Sequence, residues 1–208
     1  MLSEPRPVNR RTLRREMRQR RRSLTLSEQR DAAKKARRTL AREMVFMRAR
    51  KVAMYMAGAG ELDPQPIMKT ALAMKKQCYL PVMSKGLLPH TAGKLVFQQY
   101  DPQTHSLAVN RFGIHEPFFD PRSLIPTRML DLILTPLVAF DRQGNRLGMG
   151  KGYYDKTLAG LHRQWRRPTL LGMAHSFQEI DELTPEAWDI PLDGILTEKE
   201  LFWTHTPH

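Results

Sequence analysis

Apolar and polar positions follow two rhythms along this chain. From Asn9 the rhythm is helical: Leu13, Met17 and Leu24 can share one face, and arginines fill the rest. Thr25 and Glu28 match a capping box and predict a fresh helix start there, with Ser27 as a rival cap. Ala33, Ala36, Leu40, Met44 and Met47 then recur at three- and four-residue steps, the pattern of an amphipathic helix. After residue 50 the rhythm shortens. Residues 51–57, "KVAMYMA", read as a buried strand, "GAGELD" as a loop and residues 64–77 as a helix. "CYLPVM" is a second strand and residues 94–100, "KLVFQQY", a third. "LDLILTPLVAF" (residues 130–140) is the most apolar stretch. Its first half reads as a central strand that Pro136 ends, because proline donates nothing to an interior ladder. Residues 152–161 read as helix, "PTLLGMAH" as a buried strand and "LDGILT" (residues 192–197) as the last strand.

Short apolar strands alternating with helices predict an α/β fold: an open, mainly parallel sheet flanked by helices in three layers, Rossmann-like, with basic helices at the N-terminus. A length of 208 residues suits one domain. Residues 1–8 carry two prolines and are expected to be a disordered lead-in, with 9–208 as the single domain.

Charge refines this picture. The net charge is +13, yet residues 1–50 hold 17 of the 34 Lys and Arg and only 5 of the 21 Asp and Glu. The basic character therefore belongs to the N-terminal helices, a face that attracts polyanions or stands as a solvated, arginine-rich surface. No apolar run is long enough to span a membrane, and charges interrupt the N-terminus where a signal peptide would carry its apolar region. A cytoplasmic protein is expected. The lone cysteine, Cys78, sits in "KKQCYLPV" and reads as a buried small hydrophobe rather than a catalytic thiol.

"GNRLGMGKGYYDK" (residues 144–156) falls between a buried apolar stretch and a predicted helix, where α/β folds bind ligands. Its glycines let backbone N–H groups approach an anion, the helix start adds a favourable dipole, and Arg146 and Lys151 add charge. The spacing is not that of a Walker A loop: Asn145 stands where the first glycine belongs, and Gly152 follows the lysine. Nor is it the dinucleotide fingerprint. Spacing alone leaves two readings open, a phosphate loop or a polar flexible turn. Asp155 at the helix start is either a Mg²⁺ ligand beside a triphosphate or an acid favoured by the helix dipole.

"LDLILTPLVAFDRQGNRLGMGKGYYD" resembles the signature of the 5-formyltetrahydrofolate cyclo-ligase family, also called methenyltetrahydrofolate synthetases. The resemblance extends from about Arg10 to Glu198. "RRTLRREMRQRR" resembles the family's basic opening, "GELD" its acidic pterin-side loop, "FGIHEP" its mid-chain motif and "WDIPLDGILTE" its tail. It implies ATP- and Mg²⁺-dependent conversion of 5-formyltetrahydrofolate to 5,10-methenyltetrahydrofolate through a phosphorylated formyl group, with release of ADP and phosphate. No protein nucleophile is needed. It implies that Arg10 and Arg14 hold the nucleotide phosphates, with Arg11 as the counterpart of Arg10 if the register slips by one. It implies that Arg146, Leu147, Gly148, Met149, Gly150, Lys151, Gly152, Tyr153 and Tyr154 form the ATP loop. Of these, Lys151 and Arg146 serve catalysis, and Met149 to Tyr153 also face the folate. Some relatives carry a basic residue at the Met149 position. Asp155 and Asp189 are implied as Mg²⁺ ligands, Glu61 as the pterin acceptor, and Met56 and Phe112 as apolar walls around the folate. A carboxylate suits a pterin because it accepts two adjacent N–H donors at once.

Charge alone adds that Arg18, Arg21 and Arg22 steer a polyglutamate tail where the folate carries one. Nucleic acid is the rival partner class, but no RRM, KH or zinc pattern accompanies the arginines, and residues 51–208 are nearly balanced in charge. A third reading is a sugar-phosphate or CoA-binding α/β protein, since such sheets host unrelated chemistry. Neither a nucleic-acid nor a membrane partner is expected, and a monomer is the expected state.

Overall fold

The computed structural model describes residues 9–83, 93–110, 113, 115–161 and 164–204. Helix α1 (Arg10–Ser23) starts at Asn9, whose side-chain oxygen accepts from the backbone N–H groups of Arg11 and Thr12. Helix α2 (Leu26–Leu40) starts at the expected capping box, in which Thr25 accepts from the Glu28 N–H and the Glu28 carboxylate accepts from the Thr25 N–H at 2.7 Å. This helix ends earlier than the periodicity predicts. Met44 and Met47 belong to a separate short helix, α3 (Met44–Arg48), and both are exposed. The chain turns after Leu40, so Phe46 takes the buried position instead.

The remaining elements are β1 (Lys51–Ala53), α4 (Gln65–Ala73), β2 (Gln77–Met83), β3 (Leu95–Gln99), β4 (Leu107–Val109), β5 (His115–Pro117), β6 (Leu124–Ile125), β7 (Leu132–Pro136), β8 (Ala139–Phe140), β9 (Arg146–Leu147), α5 (Tyr153–Leu158), β10 (Thr169–Met173), β11 (Gly194–Leu196) and β12 (Leu201–Trp203). The main sheet runs β12-β11-β10-β7-β1-β2-β3-β6. Strands β11, β10, β7, β1 and β2 are mutually parallel; β12 runs antiparallel to β11 on one edge, and on the other β3 runs antiparallel to β2 and β6 antiparallel to β3. The expected α/β class and mainly parallel sheet are what the structure shows. The strand expected to be last, β11, is followed by β12, which pairs back on it from Leu201↔Leu196 to Trp203↔Gly194. Pro81 lies inside β2, but β1 pairs with β2 only as far as Ala53↔Tyr79, so the missing N–H interrupts no inner ladder.

Alternation along each central strand sorts side chains to two faces. Val52, Leu132, Leu134 and Leu171 pack against Ala36, Leu40, Phe46, Ile67 and Ala71 from α2, α3 and α4. Ala53, Ile133 and Leu170 face the other way, against Leu158 of α5 and against Ile190 and Leu192. Three layers result. Helix α1 joins neither layer. Its Leu13 and Met17 pack on Val138, Ala139 and Leu147, so it covers the β8–β9 hairpin beyond the end of β7. Among the described residues no helix is long and apolar enough to cross a membrane.

That hairpin precedes the glycine loop, and one buried carboxylate holds its turn. Asp141 is inaccessible to solvent. Its Oδ1 accepts from the backbone N–H groups of Gln143 (3.0 Å) and Asn145 (2.9 Å), and its Oδ2 accepts from Asn145 Nδ2 (2.8 Å) and the Leu183 N–H (2.9 Å). Gly144 in the same turn has φ +87°, and a Cβ there would lie 2.7 Å from the Leu192 carbonyl oxygen. We predict that Asp141→Ala, which leaves these donors without their acceptor, lowers unfolding stability by about 3 kcal/mol or more. Asp141→Asn, which keeps one acceptor oxygen, should lose less. The midpoints of urea denaturation measure both.

Candidate active site

The parallel strands β1, β2 and β7 end at a common edge, the place where open α/β sheets bind ligands. A cavity of about 430 Å³ opens there. Met56 beyond β1, Leu80, Pro81 and Met83 of β2, Leu95 of β3 and Pro136 at the end of β7 give it an apolar floor. Its polar rim comes from four directions: Arg18 on α1, Glu61 on the loop after β1, His115 and Glu116 on β5, and Arg146 with the loop that follows it.

The glycine loop is a left-handed bend between β9 and α5. Gly150 has φ +91° and Gly152, at the N-terminus of α5, has φ +65°. Both values lie where a Cβ is strained, which is why glycine stands there. Arg14 reaches over from α1 and donates from Nε to the Gly148 carbonyl oxygen at 2.9 Å. Lys151 is exposed and lines the cavity. Arg146 is only 6% exposed. It donates through Nη1 to the Ile190 carbonyl oxygen and through Nη2 to Asp155 Oδ1, each at 2.5 Å. Burial weighs against its charge, and the Asp155 and Asp189 carboxylates counter that effect.

Glu61 sits opposite. Its Oε2 accepts from the Gly58 N–H at 3.1 Å, and its Oε1 lies 3.5 Å from Arg21 Nη1. Burial raises its pKa above the usual carboxylate range, and Arg21 and the Gly58 N–H pull the other way. Tyr55 and Tyr154 are neighbours of this carboxylate. Burial raises the pKa of each phenol, and the Glu61 charge raises it further, so both stay protonated at neutral pH.

The structure gathers Met56, Glu61, Arg146, Gly148, Met149, Lys151, Gly152, Tyr153, Tyr154 and Asp155 of the expected site on this one cavity. Others stand elsewhere. Leu147 is buried beneath α1 against Leu13 and Met17, so its side chain faces the core. Arg14 lies against Gly150, where a Cβ would come within 3.6 Å of the guanidinium carbon. Arg10 is bound to the segment before Ile190: it donates to the Thr184 carbonyl oxygen at 2.5 Å and to Asp189 Oδ2 at 3.3 Å. Arg11 instead lines a groove of about 820 Å³ along the outer face of α1 with Arg14, Arg15, Arg18 and Arg22. Phe112 lies outside the described residues.

Arg21 departs from its expected role. It has no solvent exposure, so it steers nothing on the surface. Its Nη1 contacts Glu61 and donates to the Leu137 carbonyl oxygen at 3.4 Å. One sign in the sequence marks it, since Arg21 continues the four-residue stripe of Leu13 and Met17 that α1 buries. Glu116 has no expected role at all, yet it is buried and lines the cavity from β5. Its Oε2 accepts from Asn110 Nδ2 at 3.2 Å and from the Met83 N–H at 3.4 Å.

Among the described residues, no three His, Cys, Asp or Glu side chains come together as a metal cage. Asp155 and Asp189 each face an arginine, and both lie close enough to Arg146 to support its charge. Two carboxylates beside a glycine loop would suit Mg²⁺ if that loop held phosphate, since Mg²⁺ takes one or two protein carboxylates and completes its shell with phosphate oxygens and water.

Residues 6–198 match the family model described as the 5-formyltetrahydrofolate cyclo-ligase family. The 5-formyltetrahydrofolate cyclo-ligase of Escherichia coli is 40% identical over 186 residues, which cover 89% of this chain and 98% of that protein. The Haemophilus influenzae 5-formyltetrahydrofolate cyclo-ligase is 35% identical over 189 residues, covering 90% of this chain and 96% of that one. The solution structure of Aquifex aeolicus 5,10-methenyltetrahydrofolate synthetase superposes with a TM-score of 0.77 at 31% identity, covering 96% of this chain and 94% of that chain.

Cys78 lies on β2 away from this cavity, buried in the core layer beneath α4. Burial is the main cause that raises its thiol pKa to about 12. We predict that iodoacetamide leaves Cys78 unmodified in the folded protein at pH 8 and labels it only in denaturant, as intact mass would show.

Proposed function

The chain belongs to the 5-formyltetrahydrofolate cyclo-ligase family, and from that premise we propose that it uses ATP and Mg²⁺ to close 5-formyltetrahydrofolate to 5,10-methenyltetrahydrofolate at the cavity between Glu61 and the glycine loop. One observation carries the reading. A cationic glycine loop and the partly buried Glu61 carboxylate, each suited to a different ligand, face one cavity with an apolar floor.

Glu61 accepts adjacent N–H donors of the pterin. Met56, with the apolar floor of β2 and β7, holds the ring, and Met149 adds an uncharged contact where some relatives have a basic one. The formamide is a poor electrophile because its nitrogen donates into the carbonyl. The formyl oxygen attacks the γ-phosphorus of ATP, and ADP leaves. The anilino nitrogen of the folate then attacks the activated formyl carbon and loses its proton. The formyl oxygen departs with phosphate, which leaves the cationic methenyl bridge. Alignment and charge neutralisation are the protein's tasks. Lys151 meets the transferring phosphoryl group, and Arg146 holds Asp155 and the loop in register. Arg10 and Arg14 hold phosphate oxygens from α1, and backbone N–H groups of residues 147–154 complete the ATP site. Asp155 and Asp189 would hold Mg²⁺, whose charge would offset that of the phosphates.

Arg18 borders both the cavity and the outer groove, and Arg22 lies farther along that groove. A polyglutamate tail would follow these two, without Arg21. The proposal takes the enzyme as a monomer and places it in the cytoplasm.

Purified protein mixed with 5-formyltetrahydrofolate, ATP and Mg²⁺ should show an ATP-dependent rise in the near-ultraviolet absorbance of the methenyl product, abolished by EDTA. We predict that Lys151→Ala lowers kcat by about 10²–10³-fold without loss of fold. No absorbance rise from folded protein that still binds ATP would overturn the proposal.

A further inference from the structure

Arg21 is the largest side chain with no solvent exposure. It lies in the last turn of α1 and its Nη1 faces Glu61 Oε1 at 3.5 Å. Among the described residues its Nε and Nη2 find no hydrogen-bond partner. A guanidinium buried in this state costs stability. What it supplies is a positive charge beside a carboxylate that is itself largely withdrawn from water.

The backbone fixes this pairing. Gly60 has φ +75°, and a Cβ there would lie 2.4 Å from the Arg21 carbonyl oxygen. The loop carrying Glu61 therefore packs directly on the end of α1. From below, His175 Nε2 lies 3.1 Å from the Gly60 carbonyl oxygen. Gln178 Nε2 donates to the Leu137 and Val138 carbonyl oxygens, and Arg21 shares that Leu137 acceptor. Arg21 thus ties together α1, the end of β7 and the acidic loop.

We propose that Arg21 is a positioning residue for the reaction: it keeps Glu61 ionised and aimed into the cavity, so that the carboxylate accepts N–H donors from the folate ring. This rests on the reading of Glu61 as the pterin acceptor. The charged and titratable groups around Glu61 come from several elements. Arg21 faces it from α1, Tyr55 from the segment after β1 and Tyr154 from α5; Arg18 of α1 lines the same cavity, Asp63 is two residues on in the same loop, and His175 beyond β10 contacts the adjacent Gly60 carbonyl oxygen. The Arg21 charge holds its pKa down against the effect of burial. Removing Arg21 raises the pKa of Glu61 further. The acid limb of kcat/KM for the folate then moves to higher pH, and activity lost at neutral pH returns as pH rises.

The test compares Arg21→Met, Arg21→Lys, Glu61→Gln and the Arg21→Met/Glu61→Gln pair by pH profiles of kcat/KM for 5-formyltetrahydrofolate, with KM for ATP alongside. Arg21→Met should shift the acid limb up by about 1–3 pH units, the effect of an opposite charge at this range, and leave the pH dependence of KM for ATP without a matching shift. Arg21→Lys should restore most of the profile. In the Glu61→Gln background, Arg21→Met should add almost nothing. A profile for Arg21→Met parallel to wild type, or a loss that simply adds in the pair, would overturn the proposal and leave Arg21 a structural residue. If Arg21→Met does not fold, Arg21→Gln, which keeps donors at that place without the charge, carries the same comparison. An unchanged KM for the folate in Glu61→Gln would instead remove the underlying assignment of Glu61, whatever Arg21 does.

Discussion

Arg146 is 6% exposed, and a guanidinium so far from water is costly unless its N–H groups find acceptors where they lie. Those acceptors come from distant parts of the chain. Asp155 is in the first turn of α5, and Ile190 follows the segment that also binds Arg10. Meeting this one requirement closes the glycine loop over the cavity, because Arg146 precedes the loop and Asp155 follows it. It also draws residues 184–190 against the loop. The hairpin carrying Arg146 is then held from behind by Asp141 and from above by Leu13 and Met17 of α1. Flexible glycines between two fixed points can present backbone N–H groups at defined positions, which free glycines would not do.

The opposite wall follows the same logic with different residues. Glu61 is a carboxylate in a mostly apolar surround, and burial pushes it toward its neutral form. The end of α1 supplies the opposing charge through Arg21. Both walls therefore consist of a buried arginine facing an acid, one at the glycine loop and one at the proposed pterin side. In each case the arginine is the more deeply buried partner. That leaves the carboxylate, rather than the guanidinium, nearer the cavity.

The layers of this fold were legible because they depend on runs of side chains. The apolar stretches at β1, β2, β7, β10 and β11 are buried on both faces and mark themselves by composition, and Pro136 ends β7 as expected. Elements of two or three residues, such as β8 and β9, carry too few positions for a period to register. The end of α2 was misplaced because Met44 and Met47 continue its spacing by accident while the chain turns after Leu40. For the site, the glycine loop was visible as spacing, but the folate side came through resemblance alone. Arg21 and Glu116 were missed for a shared reason. Charge in a sequence reads as surface, and only the tertiary partner across α1 or β5 reveals that the group is buried.

Helix α1 shows why the concentration of charge near the N-terminus misleads when read as a single patch. Its arginines divide by direction. Arg21 points into the protein and belongs to the Glu61 wall, Arg14 lies over the glycine loop, and Arg11, Arg15 and Arg22 face the outer groove. On the proposed reading, one rigid helix touches both substrates, with Arg10 and Arg14 on the nucleotide and Arg21 behind the pterin carboxylate. A helix moves as a body, so a shift that improves one contact moves the other. Binding of ATP against the outer turns and seating of the folate against Glu61 would then bias the same helix position, which is the physical requirement for coupling between the two ligands. The loop and the helix backbone touch at Gly60 with no room for a side chain, so a shift of α1 would carry to the loop that holds Glu61.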